Sequence, residues 1–281
     1  MSRLDSTFSM LRRAQAPGLV AFATAGDPDL SRSEAVFLAL DAAGTSVLEI
    51  GVPFSDPLAD GPVIQRASYR ALRSGTTLER AIGLAARVRR QARAPIVLFT
   101  YLNPVLRLGV ERFAGEAAQA GVDGVLVVDL PLDEAGPFRD AAAGAGLDTI
   151  FLVAPTSGPE RIRRAAALGS GFLYAVSRLG VTGPRESLPG LAQALVSRIR
   201  TETTLPVALG FGISHPAHVR EAARWSDAAV VGSAIVQVVE QYGSDTRLAE
   251  AVHGRLRWLL GTAGGTGAPP AGSTGVPAVD S

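Results

Sequence analysis

Eight short apolar runs, separated by helical stretches, constrain this chain more than any other feature. They occupy residues 19–24, 47–51, 96–101, 124–130, 149–153, 172–177, 206–210 and 228–232. Most are almost continuously hydrophobic, as strands buried on both faces are. The stretches between them, among them 31–43, 78–93, 110–120 and 217–225, are rich in Ala, Leu, Arg and Glu and read as helices. Strand–helix alternation implies right-handed βαβ units and a parallel sheet. Eight units favour a closed barrel over an open doubly wound sheet, and such a barrel takes about 250 residues. The expected fold is α/β: a single (β/α)8 TIM barrel over residues 1–261, with an extra N-terminal helix. Residues 262–281 hold five Gly, three Pro and one charge, Asp280, and are expected to form a disordered tail outside the barrel.

Composition removes several chemistries. Hydrophobic residues make up 47% of the chain and charged ones 19%, which supplies a large core and excludes a disordered chain. There is no Cys, so thiolate nucleophiles, disulfides and Zn–thiolate sites are out. All 27 basic residues are Arg. Without Lys, neither Schiff-base catalysis nor covalent attachment of pyridoxal phosphate is open to the chain. Three His, at 215, 218 and 253, make a His-rich metal site an unfavoured reading, and no metal or cofactor is expected. A net charge of +1 gives no field for nucleic acid or an anionic membrane. The longest largely apolar run, 228–239, is short of the ~20 residues that span a bilayer, and residues 1–18 lack an apolar leader core. A cytoplasmic protein is expected.

In a barrel of this kind, chemistry belongs to strand C-termini and the loops after them. Glu49 lies inside the second apolar run. Alternation puts Val47, Glu49 and Gly51 on one face and Leu48 and Ile50 on the other. A carboxylate on either face is costly unless it is paired or holds a proton, so Glu49 is either a residue satisfied by a buried partner or an acid–base group. Asp60 follows in the loop, before Gly61, where a turn-forming role competes with a catalytic one. Together they offer a buried, protonatable acid and an exposed, ionised one over one barrel mouth.

The later loops resemble an anion cradle. Gly180 to Gly183 follow the sixth run, Gly210-Phe211-Gly212 the seventh, and Gly232-Ser233 the eighth, where a helix opens. Glycines let backbone N–H groups approach an anion, and a helix N-terminus adds partial positive charge. Phe22, Tyr101, Tyr174 and Phe211 fall at or near strand ends; each reads alone as core packing, and together as the lining of a pocket for a flat ring. His215 and His218 read as a solvated helix start, and the Arg-rich stretches 87–90 and 161–164 as solvated helix faces.

The run Leu48-Glu49-Ile50-Gly51-Val52-Pro53-Phe54-Ser55-Asp56-Pro57-Leu58-Ala59-Asp60-Gly61-Pro62 resembles the signature of the tryptophan synthase α-subunit family. Phe22 to Pro28, Gly124 to Pro131, Tyr174 to Gly183 and Gly210 to Ser214 resemble it too. The resemblance implies cofactor-free retro-aldol cleavage of indole-3-glycerol phosphate to indole and glyceraldehyde 3-phosphate. It implies Glu49 as acid–base residue and Asp60 as the carboxylate facing the indole N–H. Phe22 and Tyr174 match the family's ring-pocket positions, with Tyr101 and Phe211 as further candidate substrate contacts. Gly183, Gly212, Gly232 and Ser233 hold the phosphate, and Thr182 meets Asp60 when a loop closes. A pyridoxal-phosphate β subunit is the implied partner in an α2β2 tetramer, with Pro53, Asp56 and Pro57 at the interface. The segment 184–189 is somewhat short for the family's loop, and the tail has no family counterpart. A stand-alone lyase of secondary metabolism, or a silent activator of the β subunit, are the alternatives.

Overall fold

The computed structural model describes residues 1–176, 188–210 and 212–262. The chain opens with α1 (Arg3–Ala14), β1 (Gly18–Thr24), α2 (Leu30–Ala42), β2 (Val47–Gly51), α3 (Pro62–Arg73) and α4 (Leu78–Arg89). It continues with β3 (Ile96–Thr100), α5 (Leu102–Leu108), α6 (Val110–Gln119), β4 (Gly124–Val127), α7 (Ala135–Gly144), β5 (Asp148–Val153) and α8 (Pro159–Leu168). It ends with β6 (Leu173–Val176), α9 (Leu188–Glu202), β7 (Val207–Gly210), α10 (Pro216–Ala222), β8 (Ala228–Val231), α11 (Ser233–Tyr242) and α12 (Leu248–Leu259). All strand pairs are parallel and β8 returns to β1, so the sheet is a closed eight-stranded barrel.

Each of the eight apolar runs contains a strand. The fourth is shorter than expected, because the Leu130 N–H folds back onto the Val127 carbonyl at 3.3 Å and turns the chain out of the sheet. Ser177, the expected end of the sixth, and residues 263–281, most of the expected tail, lie outside the described residues.

Strand alternation sorts the two walls. Val20, Val47, Val97, Leu126, Ile150, Phe172, Ala208 and Val230 fill the barrel interior. Their neighbours Leu48, Ile50, Leu98, Val125, Leu173 and Leu209 pack outward against the helices. A parallel barrel buries both faces, which is why the runs read as continuous rather than alternating.

The extra N-terminal helix closes the floor. A capping box between Ser2 and Asp5 starts α1, and its apolar side inserts Leu4 and Phe8, both fully buried, among the interior residues. The Phe8 ring lies 5.3 Å from that of Phe172. Two ion pairs pin the helix to the strand starts: Arg12 Nε to Asp227 at 2.7 Å, and Arg3 to Asp123 at 3.1 Å. Burial pushes the Asp227 carboxyl up. Hydrogen bonds from Arg12 and the Val207 N–H, with the Arg200 charge, outweigh that and hold it below the usual carboxylate range. Replacing Leu4 with Ala should therefore cost about 2–5 kcal/mol of stability, the range for an apolar side chain removed from a packed site. Urea unfolding of the variant measures this, and a loss below about 1 kcal/mol would mean that α1 covers the floor without being packed into it.

Candidate active site

The interior of the barrel opens at the C-terminal ends of the strands into a cavity of about 480 Å³, within the size range of small-molecule sites. Glu49 projects into it from β2, Phe22 from β1, Phe99 from β3, Leu152 from β5 and Tyr174 from β6. Gly232 and Ser233, where β8 gives way to α11, form another part of the wall together with Gly212 and Ile213.

Glu49 is 1% exposed, and neither carboxyl oxygen has a hydrogen-bond partner among the described residues. The pairing that would have made it a structural residue is absent among the described residues. Burial, with the Asp60 charge adding to it, pushes the carboxyl up to about 8. At neutral pH it holds its proton. Gly51, two residues further along the same face, makes room for the Phe22 ring: a Cβ there would stand 2.5 Å from it. The Phe22 ring itself meets Phe99 edge-on at 5.6 Å.

Asp60 stands in the loop between β2 and α3. Its backbone N–H bonds to the Pro57 carbonyl at 3.0 Å, and its own carbonyl accepts from Gln65 Nε2 at 2.9 Å. The Tyr101 hydroxyl donates to its carboxylate at 3.0 Å and accepts the Ala59 N–H at 3.2 Å. The carboxyl is less exposed than the sequence suggests. Burial lifts it to about 6, against the downward pull of the Tyr101 hydrogen bond. It remains largely ionised at neutral pH, so the two carboxyls hold opposite protonation states over one cavity. Tyr101 stacks on Phe54, with centroids 4.8 Å apart, and acts on Asp60 from behind instead of lining the cavity.

At the other wall Gly212 adopts φ 78°, a conformation that favours glycine. Gly232 is the N-cap of α11 and makes no side-chain cap. The Ile235 N–H bonds back to the Gly232 carbonyl at 2.8 Å, and the start of the helix, at Gly232 and Ser233, borders the cavity with the positive end of the helix dipole. The structure thus brings together Glu49, Asp60, Phe22, Tyr174, Gly212, Gly232 and Ser233. Thr182, Gly183 and Phe211 lie outside the described residues. Pro53, Asp56 and Pro57 sit away from the cavity in the loop that carries Asp60; Pro53 is buried and Asp56 exposed.

Sequence reasoning passed over Phe99, Ile64 and Leu152. Phe99 and Leu152 were within reach: counting by two from Val97 and from Ile150 puts both on the inner face. Ile64 belongs to the first turn of α3, and nothing local marks it. His215 is a helix start as expected: its Nδ1 accepts the Ala217 N–H at 3.1 Å. Among the described residues no group of three or more His, Asp or Glu is placed to hold a metal ion.

The sequence profile described as "Tryptophan synthase alpha chain" matches residues 8–256. The chain belongs to the tryptophan synthase alpha chain family. A tryptophan synthase alpha chain of Geotalea daltonii is 51% identical over 242 residues, covering 86% of this chain and 92% of that one. One of Solibacter usitatus is 47% identical over 248 residues, 88% of this chain and 93% of the other. Among solved structures, tryptophan synthase subunit alpha of Legionella pneumophila superimposes with a TM-score of 0.84 at 32% identity, covering 92% of this chain and 97% of that one. Tryptophan synthase of M. tuberculosis in its aminoacrylate-bound form gives 0.81 at 34% identity, over 92% and 99%. The reaction of tryptophan synthase alpha chains is the lyase cleavage of indole-3-glycerol phosphate.

The raised carboxyl has a consequence for stability. Glu49 binds its proton up to about 8 in the folded protein but only up to about 4.5 when unfolded. The unfolded state therefore holds fewer protons across that window, and folding weakens as pH rises through it. Glu49→Gln removes the titration. Its stability relative to wild type should climb between pH 4.5 and 8, by up to about 1.4 kcal/mol per pH unit. Denaturant curves at several pH values read this directly; a constant difference across the window would place the ordinary carboxyl titration back in the folded state.

Proposed function

We propose that the protein cleaves indole-3-glycerol phosphate to indole and glyceraldehyde 3-phosphate, with residues 1–261 as the catalytic unit. The observation that carries this reading is the pair of carboxyls over one cavity. Glu49 is neutral and uncommitted, and Asp60 is ionised and held by Tyr101.

The division of labour follows from charge. Glu49 gives its proton to C3 of the indole ring, and positive charge spreads to the ring nitrogen. Asp60 faces that N–H and offsets the charge, a stabilisation that grows toward the transition state. Glu49, now a carboxylate, takes the proton of the hydroxyl on the carbon attached to C3. The bond between that carbon and C3 breaks, its electron pair restores the aromatic ring, and the aldehyde forms. Glu49 ends protonated, as it began. The ring itself is the electron sink, so the sequence of steps calls for no cofactor.

Phe22 and Tyr174 flank the ring. Gly212, Gly232 and Ser233, with Gly183, hold the phosphate through backbone N–H groups and the start of α11. The family resemblance assigns Thr182 to meet Asp60 on closure, and Phe211 is a further candidate for substrate contact. We place the reaction in the cytoplasm, with a β subunit that consumes the indole in an α2β2 assembly and contacts Pro53, Asp56 and Pro57. Among the described residues no helix is long and apolar enough to cross a membrane.

Three outcomes test the reading. Glu49→Gln should lower kcat by about 10²–10⁴-fold, the usual worth of a general acid–base group, while a phosphate-bearing ligand still binds. Asp60→Asn should lower kcat far more than it raises KM, because Asn keeps the shape and loses the charge. The wild-type rate should fall below about pH 6 as Asp60 takes up a proton, and above about pH 8 as Glu49 loses its own. Turnover by Glu49→Gln within a few-fold of wild type would remove it from the mechanism. For the partner, Asp56→Ala should weaken activation by an added β subunit and spare the basal rate; a parallel loss of both would confine that loop's role to the barrel.

A further inference from the structure

Arg255, on α12, is 9% exposed. Buried cations are ordinarily paired with carboxylates. This one is not: among the described residues no acidic side chain pairs with it, and its Nε has no hydrogen-bond partner. Its guanidinium stacks on the Trp258 ring, 4.6 Å from the centroid, and its Nη2 donates to the Ser214 carbonyl at 3.0 Å. Burial lowers its affinity for the proton, and no neighbouring acid opposes this.

Ser214 directly follows Gly212 and Ile213, which line the cavity beside Gly232 and Ser233. Its amide N–H donates to His218 Nδ1 at 3.4 Å. His215, the next residue, packs edge-on against the same Trp258 at 5.2 Å. The turn after β7 is therefore gripped through both polar groups of one peptide residue and backed by a ring and a full positive charge. Among the described residues, the part of the cavity it borders has no lysine and no arginine in its lining.

We propose that Arg255 is a positioning residue for the phosphate end of the cavity: it braces the 212–214 turn through the Ser214 carbonyl and adds a positive charge from behind to a seat that its described residues build from backbone groups. This rests on the reading of that end as the phosphate seat. A charge held largely out of water is weakly screened, so its field extends through the turn it braces toward the cavity which that turn borders. The indole end, where Asp60 and Tyr101 stand, is not in contact with Arg255.

The test separates the two ends of the substrate. Arg255→Met keeps the length and apolar stem and removes charge and hydrogen bond. It should weaken binding of glycerol 3-phosphate about tenfold, raise KM for indole-3-glycerol phosphate by a similar factor, and leave indole affinity and kcat within about twofold. Arg255→Lys, which restores the charge and one donor, should recover most of the loss. If the Met variant does not fold, Arg255→Gln is measured in its place, with the same ligand split expected. Equal weakening toward glycerol 3-phosphate and indole, or unchanged glycerol 3-phosphate affinity, would overturn the proposal and leave Arg255 a packing residue of α12. Wild-type protein that binds neither ligand and cleaves no indole-3-glycerol phosphate would instead overturn the proposed function itself.

Discussion

Burying the Glu49 carboxyl without a partner favours its neutral form, and much of the surrounding architecture serves that condition. The inner wall of β1, β3, β5 and β6 presents Phe22, Phe99, Leu152 and Tyr174 to the same space. None of them carries a charge or a free cation that would ionise the acid. Among the described residues, the charge that acts on it is the Asp60 carboxylate, which pushes in the same direction as burial. Two carboxyls that oppose each other's ionisation settle into unlike states, and the more buried one keeps the proton. The stability given up at this point is offset by the outer wall, where Leu48, Ile50 and their neighbours pack against the helices.

Charges elsewhere are arranged differently. At the floor, Asp227 is held by two arginines and a backbone N–H. At the rim, Arg70 grips the almost fully buried Asp27 with two nitrogens and also reaches Glu240, which Arg66 binds as well. That network joins α3, whose first turn follows Asp60, to α11, whose first turn borders the cavity. Planar guanidinium groups suit such two-pronged contacts, which an ammonium does not make. A chain whose cations are all Arg is well supplied for them.

The fold was legible because the strands are buried on both faces and the helices are rich in Ala, Leu, Arg and Glu. Continuous apolar runs of strand length, eight times over, leave few other architectures. Glu49 was legible for the opposite reason: one acid in an apolar run is a local contradiction, and such contradictions mark sites. Asp60 was legible by position, but its environment was not. Its burial depends on Tyr101, 41 residues away in sequence, and no local pattern reports that contact. Arg255 was illegible as well. On α12 it reads as one more surface arginine, and only tertiary packing against Trp258 and Ser214 removes it from water.

The barrel closes where its first strand meets its last. Val20 and Ala21 of β1 pair with Val230 and Val231 of β8, and a Cβ at Gly232 would stand 3.5 Å from the Phe22 ring. One wall of the cavity is therefore contributed jointly by the earliest and latest strands to leave a ribosome. Until residues 228–231 have been made, β1 has an unpaired edge and the Phe22 ring has no floor beside it. Ligand recognition at that seam is a property of the whole translated barrel. A nascent fragment that ends before β8 lacks this wall.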